Sequence, residues 1–366
     1  MNHPSHMAWR KFRVHLPAML GLGYAVLCVL IALLGYLIVP DNTRYANFQI
    51  LELAKLPPGS GATVLLIPKS GREDPHALGW ISGREQRHIP VPLAEVADVS
   101  LSETHVRFTH YSGVRDSLEL NLFDATPFRN EQEFFNHHTR SLSFLLGTDG
   151  YGRDLLSRIV LGTRVSLSIG LMAVLISLGI GVVLGTLAGY YGGAVDKAIM
   201  WVISVMWAIP TLLLALAISF VLGRGLWQLM IAIGVSMWVE SARIVRGQIL
   251  SVREKLFAEA GRALGFSHIR LMFRHILPNV VSPIIVVAVA NFGAAVLIES
   301  GLSFLGIGVE VPLPTWGRMI YEGYTNIVFE NGKWLAIFPG MALILLIMAI
   351  NLIGIGLRDA LDVKLN

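Results

Sequence analysis

The residues of this chain that could perform covalent chemistry do not form a pattern that would support it. Ser303 lies near an apolar run and could act as a nucleophile, but a nucleophile also needs a base beside it. All eleven histidines lie outside the predicted membrane spans. A nucleotide-binding loop would read G-x-x-x-x-G-K-[ST], and no stretch of the chain fits that pattern. We therefore expect neither an intramembrane protease nor an ATPase.

Metal chemistry is also disfavoured by the positions of the possible ligands. His137 and His138, with His105 and His110, are the best candidates. Two adjacent residues of a strand point to opposite faces, so the pair would be a poor chelate, and we expect surface histidines. The single cysteine, Cys28, excludes both a multi-cysteine metal site and an intramolecular disulfide.

A few polar or helix-breaking residues interrupt the apolar runs and are candidates for a translocation path. Asn291 could hydrogen-bond between helices or face water. Glu299 lies at the outer end of a span, where it could line a path, be solvated or cap the next short helix. Pro210 should bend the span that contains it, because it removes a helical hydrogen bond.

The composition requires a membrane around these residues. The chain is 54% hydrophobic and only 15% charged, with a mean hydropathy of +0.61. A soluble protein of 366 residues could not bury that much apolar surface. The formal charge of +4 is consistent with basic residues on cytoplasmic loops.

The apolar runs predict six spans. Residues 1–15 are basic, and residues 16–39 form an uncleaved anchor, because that run is longer than the apolar core of a signal peptide. Further spans are predicted at about 165–190, 198–222, 227–245, 281–300 and 334–357. An even number of spans places both termini on the same side of the membrane. The basic N-terminus indicates that this side is the cytoplasm, and we expect the inner membrane.

Residues 40–146 are polar and contain no span, so the topology places them outside. Three runs are β-rich, and turn residues separate them. The fold class predicted is an all-α polytopic membrane protein with a mainly β external insertion between the first two spans. The runs are Ala62–Ile67, His105–Tyr111 and Ser117–Phe123.

Glycines recur every four residues in the second span, at Gly181, Gly185 and Gly189. Small residues at that spacing let two helices approach closely. The partner helix could belong to this chain, or to a second membrane subunit.

The polar loop at 250–279 predicts two short helices with a break at Gly265, a residue suited to a left-handed helix end. Ser267 can cap the second helix, and Pro278 marks the return to the membrane. Each helix has an apolar face, formed by Leu256, Ala260, Ala263 and Leu264 in the first and by Ile269, Met272, Phe273 and Ile276 in the second.

Glu259-Ala260-Gly261, followed by Gly265 and then by Leu277-Pro278, resembles the EAA loop of ABC importer permeases. Gly261 stands where the family often has alanine, and His275 where it has isoleucine. The resemblance implies that this loop couples the permease to a cytoplasmic ATPase, which binds the ATP and Mg while this chain binds no cofactor. The coupling residues that it implies are Glu254, Phe257, Glu259, Ala260, Gly261, Leu264, Gly265, Leu277 and Pro278.

Four further stretches resemble the second-permease type of the oligopeptide, dipeptide and nickel importers. The resemblance implies the type I ABC importer fold, with residues 147–366 as the core. It also implies a homologous second permease, two ABC ATPase subunits and an extracytoplasmic substrate-binding protein, with no nucleic acid. Peptide import is favoured, nickel or another small solute is an alternative, and an ion-coupled secondary transporter is an alternative of another class. The stretches are Leu146–Arg158, Gly189–Asp196, Glu299–Gly317 and Arg358–Asp362.

Overall fold

The computed structural model describes residues 4–69, 82–94, 99–102, 104–123, 131–327 and 332–361. Four stretches of the predicted insertion and Asp362 of the C-terminal tail lie outside these residues. The chain divides into two compact units. Unit 1 contains residues 1–30, 164–311 and 341–366, and unit 2 contains residues 31–163 and 312–340.

Helices dominate the described chain, and five of them are long and apolar enough to cross a membrane. These five are Leu16–Ile38, Leu155–Tyr191, Leu226–Arg253, His268–Phe304 and Trp334–Leu361. The helices are α1 (Pro4–Val14), α2 (Leu16–Ile38), α3 (Glu131–His138), α4 (Leu155–Tyr191), α5 (Gly193–Trp207), α6 (Thr211–Leu222), α7 (Leu226–Arg253), α8 (Leu256–Ala263), α9 (His268–Phe304), α10 (Trp316–Ile327) and α11 (Trp334–Leu361).

The predicted third span is a bent pair of helices. Helices α5 and α6 meet at 90°, and Pro210 is the N-terminal cap of α6. Pro210 was predicted to bend a continuous span, and it instead begins a new helix after a break. Its fixed φ suits this position, where the missing N–H leaves no helical bond unmade.

The glycine stripe of α4 packs against α7 within unit 1. A Cβ at Gly185 would lie 2.5 Å from the Ala242 carbonyl oxygen, and one at Gly189 would lie 2.8 Å from the Arg246 carbonyl oxygen. A Cβ at Gly181 would meet Ser241 Cβ at 2.5 Å. This face is therefore occupied by a helix of the same chain, the first of the two alternatives, and not by a second membrane subunit.

Unit 2 contains two antiparallel three-stranded sheets, in the orders β2-β1-β6 and β3-β4-β5. The sequence did not indicate β2, because Pro90 and Pro92 interrupt it, but β2 is an edge strand, where proline is tolerated. The strands are β1 (Ser60–Pro68), β2 (His88–Leu93), β3 (Ser100–Leu101), β4 (His105–Thr109), β5 (Arg115–Glu119) and β6 (Thr139–Phe144).

His138 is part of the core of unit 2, contrary to the expectation of a surface histidine. It ends helix α3 and is 3% exposed. Its ring lies 4.7 Å from the Phe134 ring and 5.1 Å from the Phe123 ring, measured between centroids. The pair His137-His138 lies in a helix rather than a strand, and the aromatic cluster of the core buries its second member.

Candidate coupling site

Helix α8 ends where the sequence predicted, at Gly265. The Phe266 N–H donates to the Gly261 carbonyl at 3.0 Å, and the Gly265 N–H donates to the Arg262 carbonyl at 3.0 Å. Gly265 has a φ of +75°, the left-handed conformation that glycine adopts without a steric penalty. This pair of bonds is the Schellman motif, which satisfies the last carbonyls of a helix. The turn after α8 is therefore built from backbone bonds that require glycine.

The second helix of the predicted pair is not short. The Ser267 hydroxyl accepts a hydrogen bond from the Arg270 N–H at 3.4 Å, as predicted for a cap. From His268 the chain remains helical to Phe304, through a π-helical segment and then the 3₁₀ turn Leu277–Val280. Pro278 was predicted to mark a boundary, but it lies at the start of the 3₁₀ turn, where a missing N–H is tolerated. We call α8, the turn at Gly265 and the first turns of α9 the hairpin. The hairpin therefore continues directly into the long apolar part of α9.

The apolar stripe predicted for α8 faces outward. Leu256 is 83% exposed and Leu264 is 73% exposed, while Ala258 and Gly261 form the buried side of the helix. Ile269, at the start of α9, is 68% exposed. Exposed apolar side chains grouped in this way mark an interaction surface. We call Leu256, Leu264 and Ile269 the apolar patch of the hairpin.

The predicted coupling residues separate into two groups. Those from 254 to 265 belong to the hairpin, and all of them are exposed except Gly261. A Cβ at Gly261 would lie 2.9 Å from Leu271 Cδ1, so the missing methyl group lets α8 lie close to α9. Leu277 and Pro278 lie further along α9, more than a helical turn beyond Arg270.

Side chains that the sequence did not single out hold the hairpin in place. Arg253 donates from Nη1 to the Gly189 carbonyl at 2.9 Å and to the Tyr190 carbonyl at 3.2 Å, at the end of α4. Arg262 donates from Nη2 to the Arg253 carbonyl at 3.0 Å. Tyr190 and His268 share a hydrogen bond of 2.8 Å between the hydroxyl and Nδ1. These bonds tie the end of α7 and the start of α9 to the end of α4, and they tie α8 to the end of α7.

A bidentate ion pair links helix α7 to helix α5. Arg246 donates from Nε and Nη2 to the carboxylate of Asp196, at 2.5 Å and 2.6 Å. Planar two-bond pairs of this kind fix orientation as well as supplying energy. A carboxylate at the start of an apolar helix was the available sequence signal, because it requires a cationic partner.

Two of the candidate path residues are buried in unit 1. Asn291 donates from Nδ2 to the Ser241 hydroxyl at 2.9 Å, and the Ser177 hydroxyl lies 3.2 Å from Ser241. Asn291 therefore joins α9 to α7 by a hydrogen bond. Glu299 is 0% exposed, which excludes solvation, and its Oε1 accepts a hydrogen bond from Ser303 at 2.8 Å.

The fold and this hairpin together define a multi-pass membrane protein with a helical docking element. Residues 181–366 match the family described as binding-protein-dependent transport system inner membrane component. Residues 3–58 match the N-terminal TM domain of oligopeptide transport permease C. The chain belongs to the family of binding-protein-dependent transport system inner membrane components. It is a multi-pass permease subunit of the inner membrane, and its role is transport rather than catalysis.

This chain matches several curated relatives over more than two thirds of their length. The dipeptide transport system permease protein DppC of Alkalihalophilus pseudofirmus is 43% identical over 60% of this chain and 71% of the relative. The glutathione transport system permease protein GsiD of Pectobacterium atrosepticum is 42% identical over 60% of this chain and 72% of the relative. The oligopeptide transport system permease protein OppC of Bacillus subtilis is 38% identical over 60% of this chain and 71% of the relative.

Proposed function

We propose that this chain is a permease subunit of an ATP-driven ABC importer that moves oligopeptides or dipeptides across the inner membrane. The similarity to permeases named for dipeptide, oligopeptide and glutathione transport supports the substrate class. The observation that carries the role is the exposed apolar patch on a hairpin that continues into a membrane helix. Such a surface supports docking to a soluble partner, because burying exposed apolar side chains in an interface removes them from water and is favourable.

The proposed assembly contains four kinds of subunit. A homologous second permease forms the translocation path with this chain, and two ABC ATPase subunits bind the ATP and Mg. An extracytoplasmic binding protein delivers the substrate. In this proposal, ATP and Mg bind to the ATPase subunits and not to this chain. The hairpin of this chain transmits the movement of the ATPases to the membrane helices.

The proposed topology follows the type I ABC importer fold. The five long helices with the bent pair α5–α6 would make six spans. Both termini and the hairpin then lie in the cytoplasm, and residues 40–146 lie outside. The basic residues beside the hairpin support this orientation, since such residues favour the cytoplasmic side. They are Arg243, Arg246, Arg253, Lys255, Arg262, Arg270 and Arg274.

The path candidates differ in how well their positions support a role in transport. Pro210 is exposed at the break between α5 and α6, and a bent pair of helices can change its angle as the transporter opens. Asn291 and Glu299 are buried among groups of unit 1. We propose that Asn291 keeps α9 in register with α7 and that Glu299 stabilises α9 from within, while the break at Pro210 faces the path.

A co-purification experiment tests the docking role. The chain would be tagged, expressed with the transport subunits encoded beside it, and recovered in detergent, with the partners identified by mass. We expect a second permease and an ABC ATPase to be recovered. Leu256→Asp should release the ATPase, because a carboxylate in an apolar interface is left desolvated.

The matched control is Leu51→Asp, which changes a leucine of unit 2 that is 69% exposed, against 83% for Leu256. It should leave the ATPase bound. The proposal is refuted if the ATPase remains bound to the Leu256→Asp protein, or if the wild-type chain is recovered alone. Uptake of labelled dipeptide by proteoliposomes of the complex then tests the substrate class.

A further inference from the structure

Unit 2 contains a cavity of about 660 Å³ beside the first strands of the insertion. Its wall is formed by residues 40–43, 83–88 and 140–144, together with Phe48, Leu66 and Asp154. This volume is within the range of cavities that bind small molecules, roughly 300–1,000 Å³. The wall combines aromatic and aliphatic side chains with charged groups, as a binding site for a small polar molecule does.

The deepest charged group in this cavity is a carboxylate that lacks one of its hydrogen-bond partners. Asp154 is 5% exposed, and its Oδ2 accepts hydrogen bonds from the backbone N–H and the hydroxyl of Ser157. Its Oδ1 is buried and makes no hydrogen bond of good geometry with the described residues, although the nearby Leu156 N–H lowers the pKa of this carboxyl. A buried carboxylate oxygen normally accepts a hydrogen bond, so this atom indicates a donor that comes from outside the chain.

A second carboxylate increases the negative potential at that position. The Asp41 N–H donates to the Ser157 hydroxyl at 3.0 Å, so the two aspartates share one serine. The Asp41 carboxylate accepts from the backbone N–H groups of Thr43, at 2.9 Å, and Phe48, at 3.1 Å. Burial raises the pKa of Asp41 and of Asp154, and the charge of Asp41 raises that of Asp154 further. The charge of Arg158 lowers the pKa of Asp41 and so offsets part of this repulsion, and a further cationic donor at Asp154 Oδ1 would relieve the remainder.

The outer wall of the cavity carries a net positive charge, because it contains three arginines and one exposed glutamate, Glu85. Arg84, Arg87 and Arg140 line it, and all three side chains are exposed. A molecule with an ammonium group at one end and a carboxylate at the other would match this arrangement. Guanidinium groups pair well with carboxylates, and the apolar parts of Phe48 and Leu66 suit small side chains between the two ends.

We infer that this cavity binds the free amino terminus of a short peptide, with Asp154 Oδ1 accepting a hydrogen bond from the ammonium group. The carboxylate of the peptide lies toward the exposed arginines. The choice of a peptide rests on the proposed function, whereas the requirement for an ammonium group rests on the two aspartates alone. The insertion thereby has a binding site of its own, separate from the membrane helices that would form the path.

Calorimetric titration of the purified full-length chain in detergent tests this site. The probes are L-alanyl-L-alanine and its N-acetyl derivative, which has the same carboxylate but no ammonium group. We expect N-acetylation to weaken binding at least tenfold. Asp154→Asn should weaken binding of the free dipeptide by a similar factor, because it removes the charge while keeping the shape and the helix cap.

Glu119→Gln is the matched control, because Glu119 is an exposed carboxylate of unit 2 that does not line the cavity. It should change the affinity by less than threefold. The thermal unfolding midpoint of each variant shows whether it is folded, and the comparison of the two probes on wild-type protein decides the matter if a variant is not. Equal binding of both probes, or no binding of either, would overturn the inference.

Dipeptide uptake by the reconstituted complex separates this inference from the proposed function. Uptake combined with equal binding of the two probes would refute the site and leave the function standing. Selective binding of the free dipeptide without uptake would refute peptide import and leave the ammonium site standing. Titration with n-butylamine then shows whether an ammonium group alone is sufficient.

Discussion

Replacing Gly265 with alanine should open the turn after α8 without disturbing its surroundings. No atom of the described chain lies within 4 Å of a Cβ built at Gly265, so alanine makes no clash. The cost comes only from the backbone, which has a φ of +75°. For an L-residue the left-handed conformation costs about 1–2 kcal/mol. The fraction of molecules with an open turn should therefore rise by roughly 5- to 30-fold.

Hydrogen exchange measured by mass spectrometry reports this opening. The N–H groups of Gly265 and Phe266 close the turn, so a peptide that covers them should exchange roughly 5 to 30 times faster in Gly265→Ala. Gly265→Asn should be intermediate, because asparagine tolerates the left-handed region better than alanine does.

Gly247 provides a control of opposite sign. It is an exposed glycine within α7 and also has no described atom within 4 Å of a built Cβ, but its conformation is helical. Gly247→Ala should stabilise α7 by about 0.8–1.0 kcal/mol, because alanine favours a helix. Exchange at Gly265 and Phe266 that is as slow in Gly265→Ala as in wild type would refute the argument from backbone conformation.

The Gly265→Pro variant tests whether the turn after α8 is needed for transport. Proline cannot adopt a positive φ, and it removes the N–H that bonds to the Arg262 carbonyl. We expect the protein to insert in the membrane but to lose ATP-driven uptake. Uptake at the wild-type rate would count against a coupling role for the hairpin.

Three further substitutions address the helices and the cavity. Gly185→Ala should destabilise the protein by about 1–3 kcal/mol, because its Cβ would meet the Ala242 carbonyl, and a lower thermal midpoint in detergent would show this. Asn291→Ala should cost only about 0.6 kcal/mol by losing its bond to Ser241; loss of uptake at normal stability would instead indicate a path residue. Burial raises the pKa of Asp154, so its stabilising effect is present below the unfolded value, near 3.9, and is lost as the pH rises through the folded value. Asp154→Asn should therefore raise the thermal midpoint at pH 7 and reduce the gain that wild type shows on acidification.

Local features of the hairpin were predictable from the sequence because short-range chemistry determines them. The Gly265 turn is closed by backbone bonds that span at most five positions, and the Ser267 hydroxyl accepts from the N–H three positions further on, as the sequence indicated. Pro278 was predicted to mark the return to the membrane, and that stays a prediction, while the chain remains helical through it. A proline ends a helix only where its N–H is needed, and at the start of a 3₁₀ turn that group is not needed.

Burial was not predictable, because it depends on elements that are distant in the sequence. The helical spacing of Leu256 and Leu264 identified a stripe, but only the tertiary structure shows that the stripe is exposed while Gly261 faces α9. Gly185 and the other glycines of its stripe indicated close packing, and the partner became known only from α7. His138 was expected at the surface because a strand was predicted for the histidine pair, whereas in helix α3 its ring packs on Phe134, one turn earlier, and on the more distant Phe123.

Helix α9 connects the apolar patch with a buried carboxylate in a single rod. It is 37 residues long, which corresponds to a length of about 55 Å. In a rigid lever of that length, a tilt of about 5° around one end displaces the other end by about 5 Å. Because a π-helical segment and a 3₁₀ turn lie between Ile269 and Glu299, a push against Ile269 reaches Glu299 only as far as these two segments resist bending. The α5–α6 pair, jointed at Pro210, can instead absorb a change of angle, so this chain combines a long arm with a joint.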